Sequence, residues 1–198
     1  MTTQTTAFTP LEHAVRHDLG EGAWVDHLPG WSLDHAHLMT SLRRISWRHD
    51  KRWMYGREVW VPRLLADFDE HQDLPHPALT EARDLLSEKY GPEFGETFVT
   101  AGLALYRDGH DSVAWHGDRY GRGKTDDTAV AILALGQPRP LAFRKRGGGP
   151  ELLRLELGRG DLAVMGGTNQ RTMDHCVPKA TGQVGARISV QFRMKNVW

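Results

Sequence analysis

The chain has 198 residues with 25 basic and 25 acidic side chains, the size of one domain with a formal net charge of zero. Charge balance excludes a polybasic coat, 39% hydrophobic and 25% charged residues exclude extended disorder, and no apolar run reaches membrane-spanning length. The first twenty residues lack the basic and apolar regions of a secretory signal, and the single cysteine, Cys176, has no partner for an internal disulfide. The expectation is a cytoplasmic, monomeric, single-domain protein without a membrane partner.

In chain order, residues 1–30 read as an irregular lead-in, and 31–95 as helices plus a further segment of unusual composition. Leu33, Leu38, Met39 and Leu42 fit a short amphipathic helix over Leu33–Arg44. Ala78, Leu79, Ala82, Leu85 and Leu86 fit a second over Pro77–Tyr90, with Gly91-Pro92 expected to stop it. Residues 96–198 change character. Short β-rich runs (Phe98–Tyr106, Val113–His116, Thr128–Leu135, Pro140–Arg144, Leu152–Leu157, Asp161–Met165, Arg187–Phe192) alternate with glycine-rich turns. That spacing predicts an antiparallel sandwich, jelly roll or barrel, and helices that precede the strands would pack on one outer face. The fold class is α+β with a double-sheet core.

The chemistry concentrates in Trp115-His116-Gly117-Asp118. On an extended segment His116 and Asp118 leave the same face, two legs of a 2-His-1-carboxylate facial triad suited to Fe(II). His175, 57 residues beyond Asp118, is the leading third leg because a sandwich returns a late strand beside an early one. An HxD pair also arises by chance in a chain with eleven histidines. Zinc is the chemical competitor, but structural zinc favours cysteine and Cys176 stands alone. His35 and His37 lie on the expected helix, where their side chains diverge, and read as surface residues.

The strand Arg187-Ile-Ser-Val-Gln-Phe-Arg193 strengthens the case. Ile188, Val190 and Phe192 face one way, while Arg187, Ser189, Gln191 and Arg193 face the other. Two arginines on the inner face of a sandwich require a buried anion, and a dicarboxylate matches guanidinium forks at both ends. Further upstream, residues 43–63 hold seven basic side chains against Asp50 and Glu58, interleaved with Trp53, Tyr55 and Trp60. Basic residues with aromatic platforms suit a nucleic-acid strand. A core edge with solvated arginines is the alternative.

These motifs together resemble the AlkB family of Fe(II)- and 2-oxoglutarate-dependent dioxygenases, which act on alkylated nucleic acid. The resemblance runs over roughly residues 40–195: Met54-Tyr55-Gly56, Leu105 through Asp118, Leu135-Gly136, Phe143–Lys145, Gly160–Gly167, Gln170, His175–Lys179 and Arg187–Arg193. It implies a double-stranded β-helix core and iron held by His116, Asp118 and His175. Tyr106 and Arg187 would bind the far carboxylate of 2-oxoglutarate and Arg193 the one beside its keto group, with Ser189 on the same face and O2 as cosubstrate. The implied reaction is oxidative removal of N-methyl groups from lesions such as 1-methyladenine and 3-methylcytosine. DNA or RNA would be the partner, single-stranded or with the base flipped out. Trp60, Tyr55, Tyr120, Arg52 and Arg57 are the expected substrate contacts. Two positions depart from the family. Ala104 stands where many members carry an asparagine that touches 2-oxoglutarate, and Tyr120 stands where several carry an acid beside the cationic base. Tyr120 keeps open a hydroxylase of a protein or small molecule on the same fold.

Overall fold

A computed structural model describes residues 7–54, 56–118 and 120–197. Two antiparallel sheets face each other in a double-stranded β-helix, the jelly-roll architecture. The large sheet contains β1 (Val15–Gly20), β2 (Ala23–Leu28), β5 (Leu64–Phe68), β6 (Phe98–Tyr106), β8 (Val130–Gly136), β11 (Asp161–Gly167) and β13 (Arg187–Met194). Their order is β1-β2-β11-β8-β13-β6-β5. The small sheet, in order, is β10 (Glu151–Leu157), β9 (Arg139–Lys145), β12 (Met173–Val177) and β7 (Val113–His116). A separate hairpin pairs β3 (Lys51–Met54) with β4 (Arg57–Trp60).

Helices α1 (His35–Leu42) and α2 (Pro77–Phe94) pack on the outer face of the large sheet, against β8 and β6 respectively. This explains why β8, Val130 to Leu135, is a continuous buried apolar run rather than an alternating one: helices cover one face and the sandwich interior the other. β13 has the same two-sided burial but keeps alternating chemistry. Ile188, Val190 and Phe192 join the hydrophobic core, and Arg187, Ser189, Gln191 and Arg193 line the interior cavity.

Three sequence expectations are corrected. The supposed irregular lead-in contains β1 and β2, which extend the large sheet beyond β11. Its pattern was hidden by charge. Asp26 is buried on β2 because Arg16, its register partner on β1, grips both carboxylate oxygens at 2.7 and 2.9 Å. Tyr90 of α2 adds a third bond to Asp26 at 3.0 Å. Second, α2 does not stop at Gly91-Pro92 but runs to Phe94. A proline this near a helix C-terminus forfeits little of the ladder, and the end is made by Gly95 in the left-handed region, φ 64°. Third, the sequence showed no distinct strands in 51–68 or 173–177, yet these form β3, β4, β5 and β12. β12, Met-Asp-His-Cys-Val, has an unremarkable composition, but all five of its residues are buried.

Candidate functional site

The register of the small sheet assembles the site. His175 on β12 lies directly opposite His116 on β7, and their ring centroids stand 4.3 Å apart. Asp118 follows β7 by two residues, and one donor atom from each of the three side chains falls within 4.8 Å of the others. The 56 residues between Asp118 and His175 are thus spanned by β8 to β11 and closed by one antiparallel pair.

The groups are prepared as ligands. His116 Nδ1 lies 2.8 Å from the Ala114 carbonyl oxygen, which can only accept, so Nδ1 carries the proton and Nε2 keeps a free lone pair. His175 is buried, and its Nδ1 has no hydrogen-bond partner among the described residues. Burial, reinforced by His116, pushes the His175 imidazole down to about 3, so it is neutral at ordinary pH. Burial would raise the Asp118 carboxyl, but Arg193 and the two imidazoles outweigh it and hold it at about 2. Arg193 Nε donates to Asp118 Oδ2 at 2.9 Å. Two imidazoles and one carboxylate on adjoining segments are the donor set that suits Fe(II), and they fit it.

A cavity of about 200 Å3 runs between the sheets from this triad to Arg187. Tyr106, Arg187, Ser189, Gln191 and Arg193 line it with Leu103, Ala104, Ile132 and Leu141. Arg187 is 0% exposed, and none of its three guanidinium nitrogens makes a hydrogen bond among the described residues. Its cross-strand partner is Tyr106, whose ring centre lies 5.2 Å from Arg187 Cζ. Burial lowers the Arg187 pKa, Tyr106 partly offsets this, and neighbouring Arg139 adds to the lowering. A buried cation with no anion beside it fits a ligand carboxylate. Ser189 Oγ is already engaged, accepting from Gln191 Nε2 at 2.8 Å, and Ala104 lies opposite Ser189 in the register.

Near the triad lies a wider basin of about 880 Å3, lined by Arg52, Arg63, Tyr120, Lys124, Arg146, Arg171 and Arg193 around His116 and Asp118. Arg52 therefore borders both spaces, and Tyr120 is 77% exposed at the basin. The other expected substrate contacts are placed differently. Trp60 pairs with Lys51, so it occupies the opposite face of the β3–β4 hairpin from Arg52. There it stacks on His49 at 4.3 Å beneath the Lys51 ammonium. Arg57 shares the Arg52 face by strand alternation but lines neither space, and Tyr55 lies outside the described residues. Sequence reasoning missed Lys124 and Arg171 as basin residues. Lys124 belongs to a turn and Arg171 to the short helix α3 (Asn169–Thr172), and neither carries a local pattern pointing at the metal ligands.

A family model described as the 2OG-Fe(II) oxygenase superfamily matches residues 34–193, a range that contains His116, Asp118, His175 and both arginines of β13. Alpha-ketoglutarate-dependent dioxygenase alkB homolog 3 is 30% identical over 129 residues in Bos taurus and 29% identical over 129 residues in Homo sapiens. Each match covers 60% of this chain and 42% of the relative, so the chain spans about two fifths of the length of these curated proteins. The chain belongs to the 2OG-Fe(II) oxygenase superfamily and resembles alkB homolog 3 over part of its length, so its cofactors are Fe(II) and 2-oxoglutarate.

Proposed function

We propose that this chain is an oxidative demethylase of nucleic acid, removing N-methyl groups from bases such as 1-methyladenine and 3-methylcytosine. The observation that carries the reading is the pairing of two spaces at one triad: a narrow pocket between the sheets that reaches the buried Arg187, and a basin rimmed with cations that borders His116 and Asp118. The first suits a small dicarboxylate, and the second suits a polyanion that delivers a base to the same point. The names of the relatives support the dioxygenase part of this reading.

In this reading His116, Asp118 and His175 hold Fe(II). With 2-oxoglutarate and O2 the bound iron supplies the oxidation, which ends in succinate, CO2, a hydroxylated methyl group and, on its loss, formaldehyde. The protein does the positioning. Arg187 binds the far carboxylate of 2-oxoglutarate through one fork of its unpaired nitrogens, and the Tyr106 hydroxyl assists from the adjoining strand. Arg193 keeps Asp118 ionised through Nε and leaves its terminal nitrogens for the second carboxylate. The apolar walls at Leu103, Ile132 and Leu141 exclude water from the reacting end. Arg52, Arg63, Lys124, Arg146 and Arg171 take the phosphates, and the exposed Tyr120 ring receives the base, its face favouring a cationic methylated ring.

The test is incubation of the protein with Fe(II), 2-oxoglutarate and single-stranded oligonucleotides bearing 1-methyladenine or 3-methylcytosine, followed by mass analysis. Loss of one methyl group per lesion, with stoichiometric succinate, is expected. Tyr120, where the AlkB resemblance leads one to expect an acid beside the cationic base, keeps open a second reading, hydroxylation of a protein or small molecule. Succinate formation without demethylation of any oligonucleotide would establish that reading instead.

A further inference from the structure

Asp118 is the member of the triad that no strand holds. β7 ends at His116, and Asp118 lies in the irregular segment that follows, whereas His116 and His175 are register partners in one sheet. A carboxylate that must stay within bonding reach of two fixed imidazoles needs its backbone held by something else.

Two contacts supply this. The Asp118 N–H donates to Gln170 Oε1 at 3.0 Å in a buried bond that spans 52 residues of sequence. The Asp118 carbonyl packs directly against Gly123, where an added Cβ would come within 2.1 Å of the oxygen. Gln170 sits on α3, immediately before β12, so its side chain ties the Asp118 segment to the element that leads into His175. The arrangement is expensive. Gln170 is 1% exposed, and its Nε2 has no hydrogen-bond partner among the described residues. A buried carboxamide with an idle N–H2 is poorly accounted for by packing, since methionine would fill the space with no polar group left over. What methionine lacks is the acceptor that meets Asp118.

We propose that Gln170 is a positioning residue for the metal centre: by accepting the Asp118 backbone N–H it sets the distance between Asp118 and His175, and so the affinity for a divalent ion that it does not touch. The inference rests on the reading of His116, Asp118 and His175 as the metal ligands. Supporting groups around a ligand commonly change metal affinity by roughly 10- to 100-fold, and a bond to the ligand's backbone belongs at the lower end.

The test uses Co(II) as a redox-stable probe, titrated into metal-free protein and followed by its visible absorption, with melting of the metal-free protein recorded in parallel. Gln170→Met is expected to weaken Co(II) binding by about 10-fold and to alter the shape of the absorption band. Gln170→Glu, which still presents an oxygen to the Asp118 N–H, is expected to restore affinity to within about 3-fold of the wild type. Wild-type affinity and spectrum in Gln170→Met would overturn the proposal. So would equal loss in both variants with an unchanged spectrum, since that describes a role in stability alone. A measurement on the unmodified protein guards against a variant that fails to fold: the Asp118 amide should exchange slowly with solvent deuterium before metal is added, and fast exchange would overturn the proposal. His175→Ala separates the two levels of the argument. If it leaves Co(II) binding intact, the ligand assignment fails and this inference with it, whereas loss of binding there beside an unaffected Gln170→Met removes only the role of Gln170.

Discussion

At the scale of single residues, Arg187 carries the sharpest conflict between stability and function. A guanidinium buried to 0% exposure with no hydrogen-bond partner among the described residues is a net cost to the folded chain. Replacing it by methionine, similar in length and uncharged, should raise the stability of cofactor-free protein by about 1–3 kcal/mol, seen as a higher urea midpoint at unchanged slope. The same change should weaken 2-oxoglutarate binding by roughly 100-fold or more in a calorimetric titration, because a charge-assisted pair is lost from a dry pocket. A variant that loses stability and keeps its 2-oxoglutarate affinity would show that Arg187 serves the fold. The residue was legible in the sequence because strand alternation placed two arginines on the face opposite three apolar residues. That Arg193 would spend one nitrogen on Asp118 was not legible, since their approach depends on how the segment after β7 folds.

At the scale of elements, the cavity depends on loops held by a second buried arginine. Arg139, at the start of β9, donates to the backbone carbonyls of Asp108 at 2.9 Å, Asp111 at 3.0 Å and Pro178 at 2.6 Å. It thereby joins the loop after β6, which follows Tyr106, to the segment after β12. Arg139→Leu leaves three carbonyls without their donor and should cost about 3 kcal/mol or more in urea unfolding. Because those loops follow Tyr106 and precede Arg187, 2-oxoglutarate affinity should fall as well while Co(II) affinity is retained. On the outer face, Tyr90→Phe removes one of the bonds that keep Asp26 buried, for an expected loss of about 1–2 kcal/mol in the same measurement. The element most readable from sequence was α2, whose buried Leu79, Ala82, Leu86 and Tyr90 follow the helical period. β1 and β2 escaped because an ion pair, rather than apolar alternation, makes their pairing possible. The hairpin β3–β4 was readable as a basic, aromatic segment but not by face. Only pairing shows that Arg52 and Trp60 point in opposite directions.

At the scale of the whole molecule, zero net charge conceals a basin whose lining joins several cations to two members of the triad. Binding of a single-stranded oligonucleotide should weaken steeply with salt. Neutralising Lys124, Arg146 and Arg171 together should flatten the slope of log affinity against log salt by about 2, at about 0.7 per phosphate contact. A slope that does not change would move the strand off this wall of the basin. Acid stability follows from the site as well. His175 is held down to about 3 from the ordinary 6.5, so the unfolded chain takes up a proton that the folded chain refuses. Metal-free protein should therefore lose stability steadily as pH falls from about 6.5 toward about 3. Asp118, held at about 2 against 3.8, adds a further loss as pH falls from about 3.8 toward about 2. Urea midpoints measured across that range check both, and His175→Phe should flatten the upper part of the curve.

The sequence alone determined the class of fold, the two-residue spacing of His116 and Asp118, and the arginines that alternate along one strand, because these follow from local period and side-chain chemistry. It also carried the family resemblance, since short motifs survive in order along the chain. The tertiary structure decided which distant groups meet: His175 opposite His116, Gln170 bonded to the Asp118 N–H, Arg171 and Lys124 on the same basin as Arg52, and Trp60 on the opposite face of its hairpin from Arg52. Such contacts are set by strand register and loop closure across tens of residues, and no local pattern in an amino-acid sequence encodes them.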